Sequence, residues 1–161
     1  DVYTVEGGQI TSQTSTLTEA SAAKMMEAMA VAERIALVKA ANEAWNAGDV
    51  ETLKALFAED AVVCFPDFGD ECTRGADEIA AWIEELMAQN FVIEPESVEV
   101  TGDTITVVAE VWADPTRGLG IAPLVTQDVY TVEGGQITRQ TSTLSEESAE
   151  KMKETMAGLD S

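Results

Sequence analysis

A carboxylate and a phenol lie two residues apart in the segment 128–132, "DVYTV", whose alternating pattern predicts a β-strand. Successive side chains of a strand point to opposite faces, so Asp128, Tyr130 and Val132 share one face. On an apolar interior face, Asp128 beside Tyr130 could act as a general acid, a general base or a hydrogen-bond donor. On a rim, the same carboxylate would be solvated or structural, and the sequence leaves both alternatives open.

A second carboxylate lies in the predicted strand 105–112, where Glu110 and Trp112 share one face. If Trp112 faces the interior, Glu110 does so too and could share one proton with Asp128 as a carboxylate dyad. If Trp112 faces outward, Glu110 is surface charge, and the sequence favours this second alternative.

Other kinds of chemistry lack the residues they need. The sequence contains no histidine, and the spacing of Cys64 and Cys72 matches no zinc pattern, so we expect no metal and no cofactor. Two cysteines make no disulfide framework, and each is expected to be a small core or loop residue. Three acidic residues crowd the predicted loop after residue 65 and are expected to be solvated: Asp67, Asp70 and Glu71.

The charge of the chain restricts its partners. Among 161 residues, 30 are acidic and 9 are basic, which gives a formal net charge of −21. Such a field repels nucleic acids and anionic membrane surfaces, so neither is an expected partner. No stretch approaches the roughly 18 apolar residues of a membrane span. The expected location is the cytoplasm, unless the chain is a recombinant product.

Three long helices and one short helix are predicted. A capping box, "TLTE" at 16–19 with Thr16 as N-cap, opens a helix of about thirty residues that ends at "NAG" (46–48). Asp49 caps a short helix. Segment 76–90 is amphipathic, and "TLSE" at 143–146 caps a final helix.

The remaining segments predict strands joined by turns. Alternation marks strands at 61–65, 91–94, 97–100, 105–112 and 121–132, and a Gly-Gly turn joins the last of these to 136–143. Pro123 should mark an edge or a bulge in the long strand. Helices packed on one curved antiparallel sheet define an α+β fold, whose open end is a natural apolar pocket.

The ordered set "NAGD", "LFAEDAVV" and "RGADEIAAWI", followed by the hairpin "DVYTVEGGQIT", resembles the NTF2-like superfamily in its SnoaL-like and ketosteroid-isomerase-like branch. The resemblance covers about residues 33–143. It implies a cystatin-like cone, an internal cavity, frequent dimers, and functions that range from isomerases and polyketide cyclases to binders without catalysis. The implied cavity would be lined by Val63, Phe65, Trp82, Trp112, Tyr130 and Val132.

The resemblance transfers only one catalytic position. The general-base Asp of the isomerases corresponds to Phe65, and their oxyanion-donating Tyr corresponds to Ala41, which disfavours steroid isomerisation. Their protonated Asp corresponds to Asp128. In those isomerases an apolar site keeps this carboxylic acid neutral, so that it donates a hydrogen bond. No arginine precedes Asp128, so the Asp-Arg-Asp epoxide hydrolases are a poorer match.

The segment 1–30 repeats 128–157, with 24 of 30 positions identical. From the second copy to the first, five of the six differences shorten or remove a polar side chain, and four of these lie in the predicted helix. A helix with fewer charges is expected to be buried on more than one face. The first copy is therefore expected to make a contact that the second copy does not make.

One sheet has one position for this hairpin, so the other copy must extend the sheet, dock on a second chain or compete for the position. We therefore divide one globular unit into a repeated segment at 1–30 and an NTF2-like domain at 31–161.

The favoured interpretation is an engineered or recombined scaffold. Its cavity holds a small apolar molecule, and its repeat serves domain swapping, homo-oligomer assembly or alternative folding. The alternatives are a natural partial duplication and a SnoaL-like isomerase or cyclase that uses Asp128 as acid or base.

Overall fold

The structure, a computed structural model, describes residues 1–69 and 71–160. The chain forms two compact units, Asp1–Glu33 and Arg34–Ser161, where the sequence analysis expects one globular unit divided near residue 30. The first unit contains a two-stranded hairpin, β1 (Val2–Glu6) and β2 (Gln9–Thr14), and the beginning of helix α1 (Glu19–Ala47). Gly7 and Gly8 both have positive φ, as a two-residue hairpin turn requires.

The second unit contains the rest of α1 and four further helices: α2 (Val50–Leu56), α3 (Ala76–Met87), α4 (Asp114–Gly118) and α5 (Glu146–Leu159). Helix α1 is unbroken over 29 residues because it contains neither Pro nor Gly, and it ends before Gly48, which has positive φ. The predicted cap of α2 is confirmed, since Asp49 accepts a hydrogen bond from the backbone N–H of Thr52 at 3.1 Å. No helix within residues 1–69 and 71–160 is long and apolar enough to cross a membrane.

The sheet of the second unit is mixed. Its strands are β3 (Phe57–Cys64), β4 (Cys72–Arg74), β5 (Val92–Thr101), β6 (Thr104–Trp112), β7 (Leu124–Glu133) and β8 (Gln136–Leu144). They lie in the order β4-β3-β8-β7-β6-β5. Every pair is antiparallel except β3 and β8, which corrects the prediction of a purely antiparallel sheet. A parallel pair is possible here because the chain between β3 and β8 is long enough for a crossover.

The core lies between one face of this sheet and the helices α1, α2 and α3. Each helix buries a short apolar stripe: Val38, Ala41 and Trp45 from α1, Leu53 from α2, Ile79 and Ile83 from α3. The strands contribute alternate residues, and Ile105, Val107, Ala109 and Val111 form the buried row of β6. The α+β fold predicted from the sequence is thus confirmed.

Both long-helix starts lie two residues later than predicted. Thr18, rather than Thr16, accepts the backbone N–H of Ser21 at 3.2 Å, and α1 begins at Glu19. Ser145 caps α5 and accepts the N–H of Ser148 at 3.2 Å, because residue 143 still belongs to β8. The capping residues are therefore the second hydroxyl of each motif.

Proline positions also differ from the expectation. Pro123 precedes β7 and lies outside the sheet, whereas the register irregularity lies in β5, between Pro95 and Ser97. The two predicted strands at 91–94 and 97–100 are accordingly one bulged strand, because a proline without an N–H is tolerated at a bulge. The expected loop 113–120 contains α4.

The two cysteines form a disulfide, Cys64–Cys72, which corrects the expectation that each is a separate core or loop residue. They pair because β3 and β4 are antiparallel neighbours in which Cys64 lies directly opposite Cys72. A pair of this kind depends on strand register, which a spacing of eight residues does not reveal.

Candidate functional site

A row of polar side chains lies on the buried face of β7 and β8. Thr126, Asp128 and Tyr130 alternate along β7, so the prediction that Asp128, Tyr130 and Val132 share a face is confirmed. Directly opposite on β8, Ser142 pairs with Asp128 and Gln140 pairs with Tyr130. All five side chains of this polar row are buried. Strand β7 pairs with β6 along one edge and with β8 along the other, so it is an interior strand of the sheet.

Asp128 is the carboxylic acid of the polar row, and its side chain is buried, with 4% exposed. Burial raises the pKa of its carboxyl from 3.8 to about 6, while the hydrogen bond from Ser142 and the nearby hydroxyl of Thr126 act in the opposite direction. The Ser142 hydroxyl donates a short hydrogen bond to Asp128 Oδ1. A carboxyl with a pKa near 6 populates both protonation states close to neutral pH, as proton transfer requires.

Tyr130 lies next to this carboxyl. Its pKa is raised well above the ordinary value, first by burial and then by the charge of Asp128. The phenol is therefore a neutral hydrogen-bond donor at physiological pH. Within the residues that the structure describes, neither the Tyr130 hydroxyl nor the Gln140 amide makes a side-chain hydrogen bond.

Two fully buried polar atoms have no hydrogen-bond partner in the described part of the chain: Thr126 Oγ1 in the polar row and Asn42 Nδ2 on α1. The Thr126 hydroxyl lies close enough to Asp128 to lower the pKa of that carboxyl, although the geometry between the two groups is not that of a hydrogen bond. Buried polar groups in proteins are nearly always paired, so a set of unpaired groups on one face is typical of a site that binds a polar part of a ligand.

Of the predicted cavity residues, Val63, Tyr130 and Val132 belong to the buried core cluster. Phe65 and Trp82 are half-buried against that cluster, and their ring centroids are 4.7 Å apart. Trp82 also contacts Trp45 edge to face at 6.1 Å. These five residues belong to the apolar core or pack against it, and Tyr130 is also a member of the polar row.

Trp112 does not belong with them, which corrects its assignment to the cavity. The buried row of β6 is formed by odd-numbered residues, and alternation places both Glu110 and Trp112 on the opposite face of the sheet. Glu110 is therefore separated from Asp128 by the sheet, and the predicted carboxylate dyad does not form. The favoured alternative, in which Glu110 is on the outer face, is confirmed.

The loop after β3 lies beside the end of β8. Asp67 Oδ2 accepts the backbone N–H of Leu144 at 2.7 Å, so this carboxylate is a structural acceptor and not merely a solvated charge. Leu144 pairs with Thr126, which places the loop at the Asp128 end of the polar row. Glu71 is exposed, and Asp70 lies outside the described residues. The disulfide closes this loop at both ends.

A separate surface cleft of about 770 Å³ lies near the start of α3. Lys54 and Asp77 form an ion pair at 2.5 Å in it, and none of the predicted cavity residues lines it. Among the described residues, no group of three or more possible metal ligands is close enough to hold a metal ion.

Three members of the polar row were not predicted from the sequence: Ser142, Gln140 and Thr126. The segment "QTST" at 140–143 alternates in the same way as "DVYTV", and this pattern alone would have placed Gln140 and Ser142 on one face. The partner of each residue depends on hairpin register, which the Gly-Gly turn and one bulge set together.

The long helix, the six-stranded mixed sheet and the polar row inside it define an NTF2-like α+β protein. A family profile described as "SnoaL-like domain" matches residues 38–140, and the chain belongs to this family. A search among proteins of curated function finds no match.

Three solved structures illustrate the similarity. Bal32a, from a soil-derived mobile gene cassette, is 20% identical with a TM-score of 0.64, over 74% of this chain and 95% of that one. A SnoaL-like protein of unknown function from Burkholderia thailandensis is 13% identical with a TM-score of 0.60, over 71% of this chain and 96% of that one. A "putative polyketide cyclase" from Sinorhizobium meliloti is 27% identical with a TM-score of 0.57, over 66% of this chain and 92% of that one.

Proposed function

We propose that the second unit binds a small, mainly apolar molecule that carries a carbonyl group, and that Asp128 exchanges a proton with it. The observation that carries this proposal is the buried carboxyl of Asp128, whose pKa lies near 6 and which forms no ion pair among the described residues. The carboxylate takes a proton from the carbon next to the carbonyl, and the C–H electron pair becomes the enolate. The carboxylic acid then returns a proton to carbon or oxygen.

The unpaired polar groups beside Asp128 support the same proposal. Tyr130 is a neutral donor, and Gln140 offers both a donor and an acceptor. Either could stabilise the negative oxygen of an enolate from a buried position, where such a hydrogen bond is stronger than in water. The apolar side chains of Val63, Phe65 and Val132 would contact the rest of the molecule.

The proposed substrate class is a cyclic or polyketide-like ketone. Membership of the SnoaL-like family and the 27% identity to the Sinorhizobium meliloti protein support it. Steroid isomerisation is not proposed, since Phe65 and Ala41 occupy the positions where that chemistry would need a general-base carboxylate and a phenol. Binding without catalysis is the competing possibility, because the same pocket could hold the molecule without proton transfer.

The experiment is exchange of α-protons for deuterium in a cyclic β-diketone dissolved in D₂O, followed by proton NMR. We expect the wild-type chain to accelerate exchange and Asp128→Asn to reduce the acceleration by at least about 100-fold, the usual contribution of one acid–base group. Glu110→Gln is the matched control on the outer face of β6 and should leave the rate unchanged. Retained binding of the diketone with no acceleration in the wild-type chain would favour a binder.

We also propose, as a second function, that the repeated segment mediates self-association into a homodimer or a larger oligomer. The exposure of its apolar side chains supports this proposal: Val2, Tyr3, Val5, Ile10 and Met26 are all at least half exposed. Light scattering over a range of chain concentrations would test it, and a constant monomer mass would contradict it. The engineered or recombined origin stays a hypothesis that rests on the repeat in the sequence alone.

A further inference from the structure

The two copies of the repeated hairpin have the same strand pairing. In the first copy, Tyr3 pairs with Gln13 and Val5 with Ile10, and a register irregularity follows Thr4. In the second copy, Tyr130 pairs with Gln140 and Val132 with Ile137, and the irregularity follows Thr131. The first hairpin therefore already has the conformation that β7 and β8 adopt inside the six-stranded sheet.

The copies differ in burial. Tyr3 is 50% exposed and Ile10 is 64% exposed, whereas the equivalent Tyr130 and Ile137 are 3% and 0% exposed. The first hairpin is a sheet of only two strands, so the outer edges of β1 and β2 carry backbone groups with no strand partner. The hairpin thus has an apolar face and two edges whose backbone N–H and C=O groups lack a strand partner. Such edges can pair with the strands of another sheet.

The position that fits this hairpin is the one between β6 and β3, where β7 and β8 lie. The neighbours of that position are Ile105 and Val107 on one side and Phe57 and Val63 on the other. Every side chain that the second copy presents to the interior from residue 128 onward has an identical counterpart in the first copy: Asp1, Tyr3, Val5, Ile10, Gln13 and Ser15. The one strand difference, Ser12 in place of Arg139, lies at an exposed position.

The hairpin is assigned to a second chain because, in its own chain, the position between β6 and β3 is already filled by β7 and β8. Helix α1 follows the first copy and residues 19–47 contain no Pro or Gly at which it would readily bend, whereas α5 follows the second copy as a separate helix.

We propose that β1 and β2 of one chain can replace β8 and the part of β7 from residue 128 onward, between β6 and β3 of a second chain, where they rebuild four of the five positions of the polar row. Asp1, Tyr3, Gln13 and Ser15 would then occupy the places of Asp128, Tyr130, Gln140 and Ser142. The assignment of chemistry to that row rests on the proposed function of Asp128, but the exchange of hairpins does not. The displaced second copy keeps Glu147, Glu150 and Lys153, which the first copy lacks, so it is the more soluble of the two when exposed.

The test is complementation within the full-length chain. Ile137→Asp places a charge at a fully buried position of the second copy, so that copy can no longer occupy the sheet. We expect this variant to retain cooperative unfolding and near-ultraviolet circular dichroism, and to have twice the 17.2 kDa chain mass by light scattering. Ile10→Asp alone should be folded and monomeric, and the double variant should be unfolded.

Three results would overturn the proposal. Ile137→Asp could be as unfolded as the double variant, which would show that the first copy does not enter the sheet. It could be folded but monomeric, which would mean that the hairpin comes from the same chain. The double variant could fold as well as Ile137→Asp, in which case the first copy contributes nothing.

A second measurement separates this proposal from the function of the site. In the Ile137→Asp dimer, diketone α-proton exchange should survive Asp128→Asn and fall at least about 100-fold with Asp1→Asn. Loss of exchange through Asp128→Asn would overturn the rebuilt site. A dimer with no exchange in any variant would contradict the proposed function and leave the hairpin exchange standing on its mass and fold.

Discussion

Ser142 donates its hydroxyl hydrogen to Asp128 across the β7–β8 pair, and both side chains are buried. This hydrogen bond stabilises the charged form of the carboxyl, while burial stabilises the neutral form, and burial has the larger effect on the pKa. The pair is thus the part of the polar row that sets the protonation state of the site.

Ser142→Ala should raise the pKa of Asp128 further above its folded value of about 6, because the hydrogen bond that favours the carboxylate is removed. Carbon-13 NMR titration of the Asp128 carboxyl measures this change. Thr143→Ala is the control, since the Thr143 hydroxyl donates to the Gln127 carbonyl instead. An unchanged Asp128 pKa in Ser142→Ala would contradict the role given to this hydrogen bond.

Asp128 should make the folded chain less stable as the pH rises through 6. Its pKa is about 6 in the folded state and 3.8 when unperturbed, so the folded state binds the proton more tightly. The carboxyl has no unfavourable effect below about pH 4, and above pH 6 it lowers the free energy of unfolding by about 3 kcal/mol. Urea unfolding of the wild type and Asp128→Asn between pH 4 and 8 isolates this contribution.

The difference in free energy between the wild type and Asp128→Asn is the quantity to follow, because other acidic residues change the stability of both proteins alike. A difference that is constant with pH would mean that Asp128 is not buried in the folded state. A difference in the free energy of unfolding that is larger at low pH than at high pH would mean that folding lowers the pKa of Asp128.

Reduction of Cys64–Cys72 should lower the free energy of unfolding by about 2.5 kcal/mol, the chain-entropy estimate for a loop of this length. Denaturant unfolding with and without a thiol reductant measures the change. The variant with both cysteines replaced by serine should be insensitive to the reductant. An equal midpoint for oxidised and reduced wild type would contradict a stabilising role for the disulfide.

Ile137→Ala should destabilise the chain by about 2–5 kcal/mol, whereas Ile10→Ala should change the free energy of unfolding by less than about 0.5 kcal/mol. The two residues have the same neighbours in sequence but are 0% and 64% exposed, which makes each the control for the other. Chemical unfolding at low chain concentration, where association is weakest, gives both values. A large effect of Ile10→Ala would show that the first hairpin is buried.

Much of the fold could be predicted because it depends on local patterns. The absence of Pro and Gly between residues 19 and 47 gives the long helix, and period-two alternation places Asp128 and Tyr130 on one face. The cap of α5 lies two residues later than predicted because Thr143 still belongs to β8. Such boundaries depend on how far the strand continues to pair.

The sequence by itself determined which residues are available: a repeated hairpin, one candidate acid in it, no histidine, and a strongly acidic surface. Only the tertiary structure decided their neighbours. The register of β7 against β8 brought Ser142 to Asp128, the pairing of β3 with β4 brought Cys64 to Cys72, and the orientation of β6 placed Trp112 on the outer face. Register and facing are set by contacts between distant segments, so identical hairpins can be buried in one place and exposed in another.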